Sequence, residues 1–213
     1  MPHVLPALTL LEARILGVLV EKEKITPDAY PLTLNSLASG CNQKTSRDPV
    51  MSVSESEIQA ALEELRSRVL VLETYGASGR VLRYTQNFGK VYGLPVASVA
   101  LLAILMLRGA QTVSELRANC ERLYRFDDAS SVEAYLEELS ERSSGALVVK
   151  LPKQAGSREH RWVHLLCGEP SLPIEQEKVR DTGSSNNAAL EERVARLEQE
   201  LAELRAQISQ LIG

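Results

Sequence analysis

The residue types that most often carry chemistry are few in this chain and poorly spaced for a shared site. His160 and His164 are four residues apart in a predicted strand, which separates them by about 13 Å, too far to share a metal ion. The three cysteines, Cys41, Cys120 and Cys167, show no Cys-x-x-Cys spacing, so we expect neither a zinc site nor a disulfide framework. The sequence has no glycine-rich phosphate loop and no nucleophile elbow. We therefore expect a protein that is not an enzyme and needs no cofactor.

Polar and basic residues gather in residues 42–47, Asn-Gln-Lys-Thr-Ser-Arg, and on two predicted hairpins. Such side chains suit contacts with a phosphate backbone better than contacts with base edges. The candidate nucleic-acid-binding residues are Asn42, Gln43, Lys44, Thr45 and Arg47 in the first segment, Arg80 and Arg83 on the first hairpin, and Lys150, Lys153, Arg158 and Arg161 on the second. The alternative is structural: Asn42 and Arg47 hydrogen-bond their loop to neighbouring helices, and the hairpin residues are ordinary solvated surface.

An internal repeat indicates which elements position these residues. Residues 58–65, Ile-Gln-Ala-Ala-Leu-Glu-Glu-Leu, return at 132–139 as Val-Glu-Ala-Tyr-Leu-Glu-Glu-Leu. Each copy is followed by a β-branched run, a glycine-containing turn and a second run. Two copies are too few for a solenoid and fit a duplicated domain of three helices and a hairpin, which is the winged-helix plan. We predict a mainly α fold with small β-hairpins (α+β), formed by tandem winged-helix domains at residues 1–93 and 94–168.

Capping boxes of the form S/T-x-x-E mark the predicted helix starts. They are Thr9 with Glu12, Ser54 with Glu57, Thr112 with Glu115, and Ser130 with Glu133. The first copy is predicted to have helices at 10–22, from Pro31 to just before Gly40, and at 55–68, with strands at 69–75 and 80–85. The second copy is predicted to have helices at 94–107, 113–124 and 131–142, with strands at 146–151 and 160–166.

Charge argues against base reading by either copy. Residues 1–93 carry ten basic and ten acidic side chains and residues 94–168 carry nine of each, so the net charge of −4 lies entirely in the remainder. Nucleic-acid binders usually present a basic domain or face. The third helix of each copy, which would enter the major groove, offers mainly carboxylates: Glu55, Glu63 and Glu64 in the first, and Glu133, Glu137, Glu138 and Glu141 in the second.

The C-terminal region combines a linker with a heptad repeat. Residues 169–188 have the composition of a flexible linker, and residues 189–213 are predicted to form a heptad helix whose apolar positions are Leu190, Val194, Leu197, Leu201, Leu204, Ile208 and Leu211. Branched residues at a and leucine at d favour a two-stranded coiled coil. In a parallel pair, Arg193 would face the partner's Glu198. We therefore expect a parallel homodimer; the alternative is an amphipathic helix that packs on its own chain.

Two segments of the sequence are distinctive enough to serve as motifs for comparison with known families. The first includes residues 41–51, Cys-Asn-Gln-Lys-Thr-Ser-Arg-Asp-Pro-Val-Met, and the second includes residues 107–112, Leu-Arg-Gly-Ala-Gln-Thr. In these motifs, and over about residues 8–169, the chain resembles the bacterial YceH-like family. The resemblance implies a tandem winged-helix fold. It implies little about activity, because that family is functionally uncharacterised.

Two functions from different classes are compatible with these features. The first is a DNA-binding regulator whose hairpins and 42–47 segment grip the phosphate backbone, which the frequency of DNA binding among winged helices favours slightly. The second is a protein-interaction adaptor or scaffold whose acidic third helices meet a basic protein partner. The N-terminus lacks the features of a signal peptide, and the longest apolar run, 96–107, is shorter than the ~20 residues of a membrane helix. We therefore expect a cytoplasmic protein without membrane contact.

The heptad pattern generates a prediction about oligomeric state. Leu201→Asp would place an unpaired charge at a buried a position, where nothing offsets the cost of desolvation. We expect this variant, or deletion after Asp181, to convert the dimer to a monomer while both winged-helix domains stay folded. Size-exclusion chromatography with light scattering measures the change. A truncated protein that is still a dimer would place the interface elsewhere, and a full-length monomer would show that the helix packs in cis.

Overall fold

The same order of elements occurs twice in the computed structural model, which describes residues 7–75, 79, 81–153, 157 and 159–170. The first half comprises α1 (Leu10–Ile25), α2 (Leu34–Cys41), α3 (Glu55–Ser67), β1 (Val71–Tyr75) and β2 (Leu82–Gln86). After α4 (Phe88–Tyr92), the second half comprises α5 (Val96–Arg108), β3 (Gln111–Thr112), α6 (Val113–Cys120), α7 (Ala129–Ser140), β4 (Val148–Lys150) and β5 (Arg161–His164). The predicted α+β class is confirmed. The predicted heptad helix and its dimer lie outside the described residues.

Strand pairing also repeats between the halves. β1 pairs with β2 and β4 pairs with β5, both antiparallel. In the first half, Leu32 forms an isolated bridge with Tyr84 just before α2 begins. In the second half, β3 pairs with β5 just before α6, with Gln111 opposite Trp162. The repeat seen in the sequence therefore extends to a short third strand position in each half.

Two helices that are buried on nearly all sides form the centre of the fold. α1 is buried from Glu12 to Glu21, and α5 is buried from Ala97 to Leu107. The two helices pack directly against each other, since a Cβ at Gly17 of α1 would lie 2.9 Å from Cγ of Leu107. α2 and α3 cover α1, while α6 and α7 cover α5. The two halves therefore share one core, and the described residues up to Pro170 form one compact unit.

Capping hydrogen bonds determine where most of the described helices begin. Three of the predicted capping boxes are present, at Thr9, Ser54 and Thr112. The box predicted at Ser130 is wrong, because α7 already begins at Ala129. The carboxylate of Asp128 accepts the N–H of Ser131 at 2.8 Å and caps the helix before the serine can. Asp, like Ser, is a preferred N-cap residue, so both positions carried a start signal.

Gly40 lies inside α2 rather than just beyond its end as predicted. A Cβ at Gly40 would lie 2.5 Å from Cγ1 of Val18 in α1, so glycine here allows the two helices to approach closely. The start of α2 is also later than predicted: the helix begins after Thr33, whose hydroxyl caps it, and not near Pro31. In α2, packing against α1 outweighs the local glycine signal.

The shared core predicts one common unfolding transition for the two halves. Leu62 of α3 and Leu136 of α7 are fully buried at equivalent positions of the repeat. Truncation of either to alanine should cost about 2–5 kcal/mol through lost burial and a residual cavity. Calorimetry of each variant should show a single transition shifted to lower temperature, whereas Leu10→Ala, at a leucine that is 60% exposed, should shift it little. Two transitions, each moved by only one variant, would contradict the shared core.

Candidate functional site

The segment from the last residue of α2 to Pro49, residues 41–49, is called the polar loop below, and it covers two buried charges in α1. Arg14 and Glu21 are seven residues apart in α1, which places both on one face of the helix. Arg14 is 1% exposed and Glu21 is 9% exposed. Buried charges are costly unless they are paired and hydrogen-bonded. The contacts that the polar loop supplies are therefore required for α1 to occupy the core.

Arg47 of the polar loop forms a bidentate ion pair with Glu21. Its Nη2 donates to Oε2 of Glu21 at 2.6 Å and its Nη1 donates to Oε1 at 3.1 Å. The guanidinium also donates to the carbonyl oxygens of Gly40 and Ser46 and to the side-chain oxygen of Gln43. Burial by itself would raise the pKa of Glu21, but the hydrogen bonds and charge of Arg47 outweigh burial and hold that pKa below its ordinary value. Arg47 is thus fully engaged inside the protein.

Arg14 holds both ends of the polar loop. Its Nη1 donates to the carbonyl oxygen of Cys41 at 3.2 Å, and its Nη2 donates to that of Pro49 at 2.7 Å. Burial, together with the nearby charge of Arg47, lowers the pKa of Arg14. Two arginines and one glutamate therefore share this buried region, and backbone carbonyls of the loop accept hydrogen bonds from both arginines, while Nε of Arg14 has no partner among the described residues.

Asn42 and Asp48 connect the polar loop to the chain around it. The side chain of Asn42 donates to the carbonyl of Val53 and accepts its N–H, both at 2.8 Å, as a paired backbone would. The N–H of Asp48 donates to the carbonyl oxygen of Leu107 at the end of α5, also at 2.8 Å. The loop therefore joins the first half of the fold to the second. Asn42 and Arg47 therefore make the kind of contact expected if their role is to hydrogen-bond the loop to its surroundings.

The tip of the polar loop faces solvent. Lys44 and Thr45 are exposed and make no hydrogen bond or ion pair with any residue that the structure describes. Gln43 is half-buried because its amide oxygen meets Arg47. Of the five candidate residues in this segment, Lys44 and Thr45 are therefore the ones accessible to an external ligand.

Most of the described basic residues on the hairpins are also engaged internally. Arg83 donates to the carbonyl oxygen of Pro31. Arg161 donates to the carbonyl oxygen of Ala110 and forms an ion pair with Glu115. Lys150 forms an ion pair with Glu133, and its ammonium group lies over the ring of Trp162. Lys153 is exposed. Arg80 and Arg158 lie outside the described residues. Of the described basic candidates on the hairpins, Arg83, Lys150 and Arg161 therefore have partners within the protein, and the structure gives Lys153 none among the residues it describes.

The outer faces of α3 and α7 are acidic, as the sequence predicted. Exposed carboxylates lie at Glu55, Glu63 and Glu64 on α3 and at Glu137, Glu138 and Glu141 on α7 or next to it. On α3, the exposed Arg66 pairs with Glu73 of β1 at 3.0 Å. These surfaces would repel phosphates and attract cations.

The described part of the chain contains neither an activated thiol nor a metal-binding cluster. Burial raises the pKa of both Cys41 and Cys120 to about 12, so neither thiol is activated. No cluster of three or more His, Cys, Asp or Glu side chains in the described residues could hold a metal ion. None of the described helices is long and apolar enough to cross a membrane.

Comparison with known proteins places the chain in a family. Residues 8–157 match the family model described as "Protein of unknown function, DUF480". The chain belongs to this family. It is 54% identical to a UPF0502 protein of Dechloromonas aromatica over 202 residues, which cover 94% of each chain. It is 53% identical to a UPF0502 protein of Acidovorax sp. over 209 residues, covering 96% of this chain and 92% of the relative. The expected membership of an uncharacterised bacterial family is confirmed.

Arg14 and Glu21 were not among the residues singled out from the sequence. The available signal is their spacing, since two opposite charges seven residues apart interrupt an otherwise apolar face of α1. That pattern shows a buried polar contact but not its partner, because the partner comes from a loop 26 residues further along the chain.

Replacement of the buried Arg47 should lower the free energy of unfolding, because its contacts lie inside the protein rather than at its surface. Arg47→Met leaves the carboxylate of Glu21 buried without its bidentate partner, which should cost about 3–5 kcal/mol. The matched variant Lys44→Met, on the same loop but exposed, should change stability by less than about 0.5 kcal/mol. Denaturant unfolding followed by circular dichroism measures both.

A double variant tests whether the cost comes from the carboxylate of Glu21, which without Arg47 keeps, among the described residues, only the ammonium group of Lys22, 3.3 Å from its Oε2. Glu21→Leu combined with Arg47→Met removes both charges and should recover much of the lost stability. A double variant less stable than Arg47→Met alone would contradict this account and would indicate that Arg47 acts mainly through its contacts with the loop backbone.

Proposed function

We propose that residues 1–93 and 94–168 are tandem winged-helix domains that share a core. We propose also that the protein is not an enzyme. The order helix, short strand position, helix, helix and hairpin supports this assignment in each half. α2 and α6 strengthen the correspondence: each has eight residues, a threonine cap and a buried cysteine at its last position. Under this assignment, α3 and α7 are the helices that a DNA-binding winged helix would present to its target.

We propose further that the protein is an interaction adaptor that binds a basic segment of a partner protein through the exposed face of α3 and the hairpin beside it. The observation that carries this proposal is the acidic face of α3, where Glu55, Glu63 and Glu64 are exposed. A helix with this face would meet a phosphate backbone with like charge. A lysine- or arginine-rich protein segment would instead find complementary charge.

Apolar side chains on the first hairpin provide a second support. Val69, Tyr75 and Val81 are 51%, 68% and 46% exposed. Tyr75 lies two residues from Glu73 on the same face of β1, and Glu73 pairs with Arg66 of α3, so Tyr75 is on the face of β1 that meets α3. Exposed tyrosine and aliphatic side chains are more typical of a protein interface than of a DNA-contacting wing.

The second candidate function is DNA binding through the phosphate backbone. The exposed side chains of Lys44, Thr45 and Lys153 support it. A parallel dimer formed by residues 189–213 would double the contacts in either case. Arg47 is unsuitable for testing DNA binding, because its replacement would disturb the fold before it altered any contact with DNA.

Site-specific photo-crosslinking in bacterial cells tests the adaptor proposal. A photoreactive amino acid at Gln59, exposed at the middle of α3, should give a discrete adduct with another protein, whereas the same group at Ala118, exposed on α6, should not. Glu63→Lys with Glu64→Lys should abolish the adduct because the charge complementarity is reversed. The control pair Asp28→Lys with Glu169→Lys, which changes the charge equally at two exposed residues outside α3, should preserve it.

Binding of a labelled DNA duplex at low salt decides between the two functions. The adaptor proposal expects no salt-sensitive binding by the full chain. If the duplex binds, with a log–log salt slope near about −0.9 per phosphate neutralised, and Lys44→Ala with Lys153→Ala reduces that slope, then DNA binding is the function. The absence of any protein adduct at Gln59 would by itself contradict the adaptor proposal.

A further inference from the structure

A cleft of about 390 Å³ lies between the two halves of the fold. The end of α1 contributes Val20 and Lys24, the first hairpin contributes Leu72 and Gln86, and the segment from α4 to α5 forms the opposite wall. Its volume is within the range of roughly 300–1,000 Å³ that is usual for small-molecule sites, which also favour junctions between domains. Neither the acidic face of α3 nor the polar loop contributes to this cleft.

The lining is largely apolar. Val20, Leu94 and Val99 line it, and Leu72 and Val96 do so with 42% and 54% of their surface exposed. Large aliphatic side chains gain free energy when an apolar group removes them from water, at roughly 25 cal/mol per Å². The cleft therefore offers an apolar ligand two partly exposed side chains as well as buried ones.

The charges at the cleft favour an anion. Lys24 and Lys90 both line it and both are exposed. Glu23 is the one carboxylate in the lining, and its Oε2 already accepts a hydrogen bond from Nε2 of Gln86 at 2.9 Å. The lining therefore carries two positive charges and one negative charge, and the negative charge belongs to a carboxylate that is hydrogen-bonded to a neutral amide. A ligand carboxylate would complement the two ammonium groups.

The walls of the cleft are held in place without a ligand. The N–H of Gln86 donates to the hydroxyl oxygen of Tyr30, which is also within 2.8 Å of the hydroxyl of Thr85. On the opposite wall, a Cβ at Gly89 would lie 2.9 Å from Cγ2 of Val99, so α4 and α5 are in close contact. A preformed cleft loses little conformational entropy on binding.

We propose that this cleft binds a small amphipathic anion, with one carboxylate between Lys24 and Lys90 and an aliphatic body against Leu72, Val96 and Val99. Such a ligand would touch α1, the first hairpin and α5 at once, and would therefore stiffen the hairpin against the second half of the fold. The site does not depend on which macromolecule the protein binds.

Octanoate, used below its micellar concentration, is the probe for this site. Titration calorimetry of the full chain should show saturable binding to one site. Lys24→Gln with Lys90→Gln should weaken binding by about tenfold or more, which is the loss of at least one charge-assisted contact. The control pair Lys44→Gln with Lys153→Gln changes net charge equally, lies outside the cleft and should bind octanoate as the wild type does.

Methyl NMR of the wild-type chain tests the location of the site independently of any variant. Octanoate should shift the methyl signals of Val20, Leu72 and Val99 and leave those of Leu136 and Val148, which are buried in the second half, unchanged. No saturable heat, or shifts that avoid the cleft, would overturn the proposal. Equal affinity in the two lysine pairs would overturn the assigned position of the carboxylate.

Discussion

The ion pair between Arg47 and Glu21 is the interaction on which the rest of the first half depends. α1 must be buried on nearly every side, because it packs against α5 on one side and against α2 and α3 on others. A helix in that position with Arg14 and Glu21 in its sequence is stable only if a neighbouring segment supplies a counter-charge and carbonyl acceptors. The polar loop supplies both, and its path from Cys41 to Pro49 follows from that requirement.

This requirement changes what the most specific motif of the sequence indicates. From the sequence, Asn42 and Arg47 are candidates either for contacts with phosphate or for hydrogen bonds that hold their loop to neighbouring helices. The structure engages both with backbone and carboxylate groups, so the motif is largely explained by folding. What folding leaves unexplained is the exposed tip, Lys44 and Thr45, and the exposed carboxylates of Glu63 and Glu64 on α3. Those residues, rather than the whole motif, carry information about function.

The sequence predicts local features of this fold well and long-range ones poorly, for a physical reason. Capping at Thr9 depends on groups within four residues, so its pattern can be read directly. The role of Gly40 depends on Val18, and the role of Arg47 depends on Glu21, each more than 20 residues away. Glycine in a helix and arginine in a loop have several possible uses, and only the tertiary neighbour decides between them.

The second half shows that the fold plan does not itself require a polar loop. After α6, at the place equivalent to the polar loop, Leu123 and Phe126 are buried, and Phe126 packs against the rings of Tyr124 and Tyr135. Apolar packing thus connects α6 to α7 where buried charges connect α2 to α3. In the first half, the polar loop exposes Lys44 and Thr45 to solvent shortly before the acidic start of α3. The two halves thus differ in this loop both in how the helices are joined and in which side chains reach solvent.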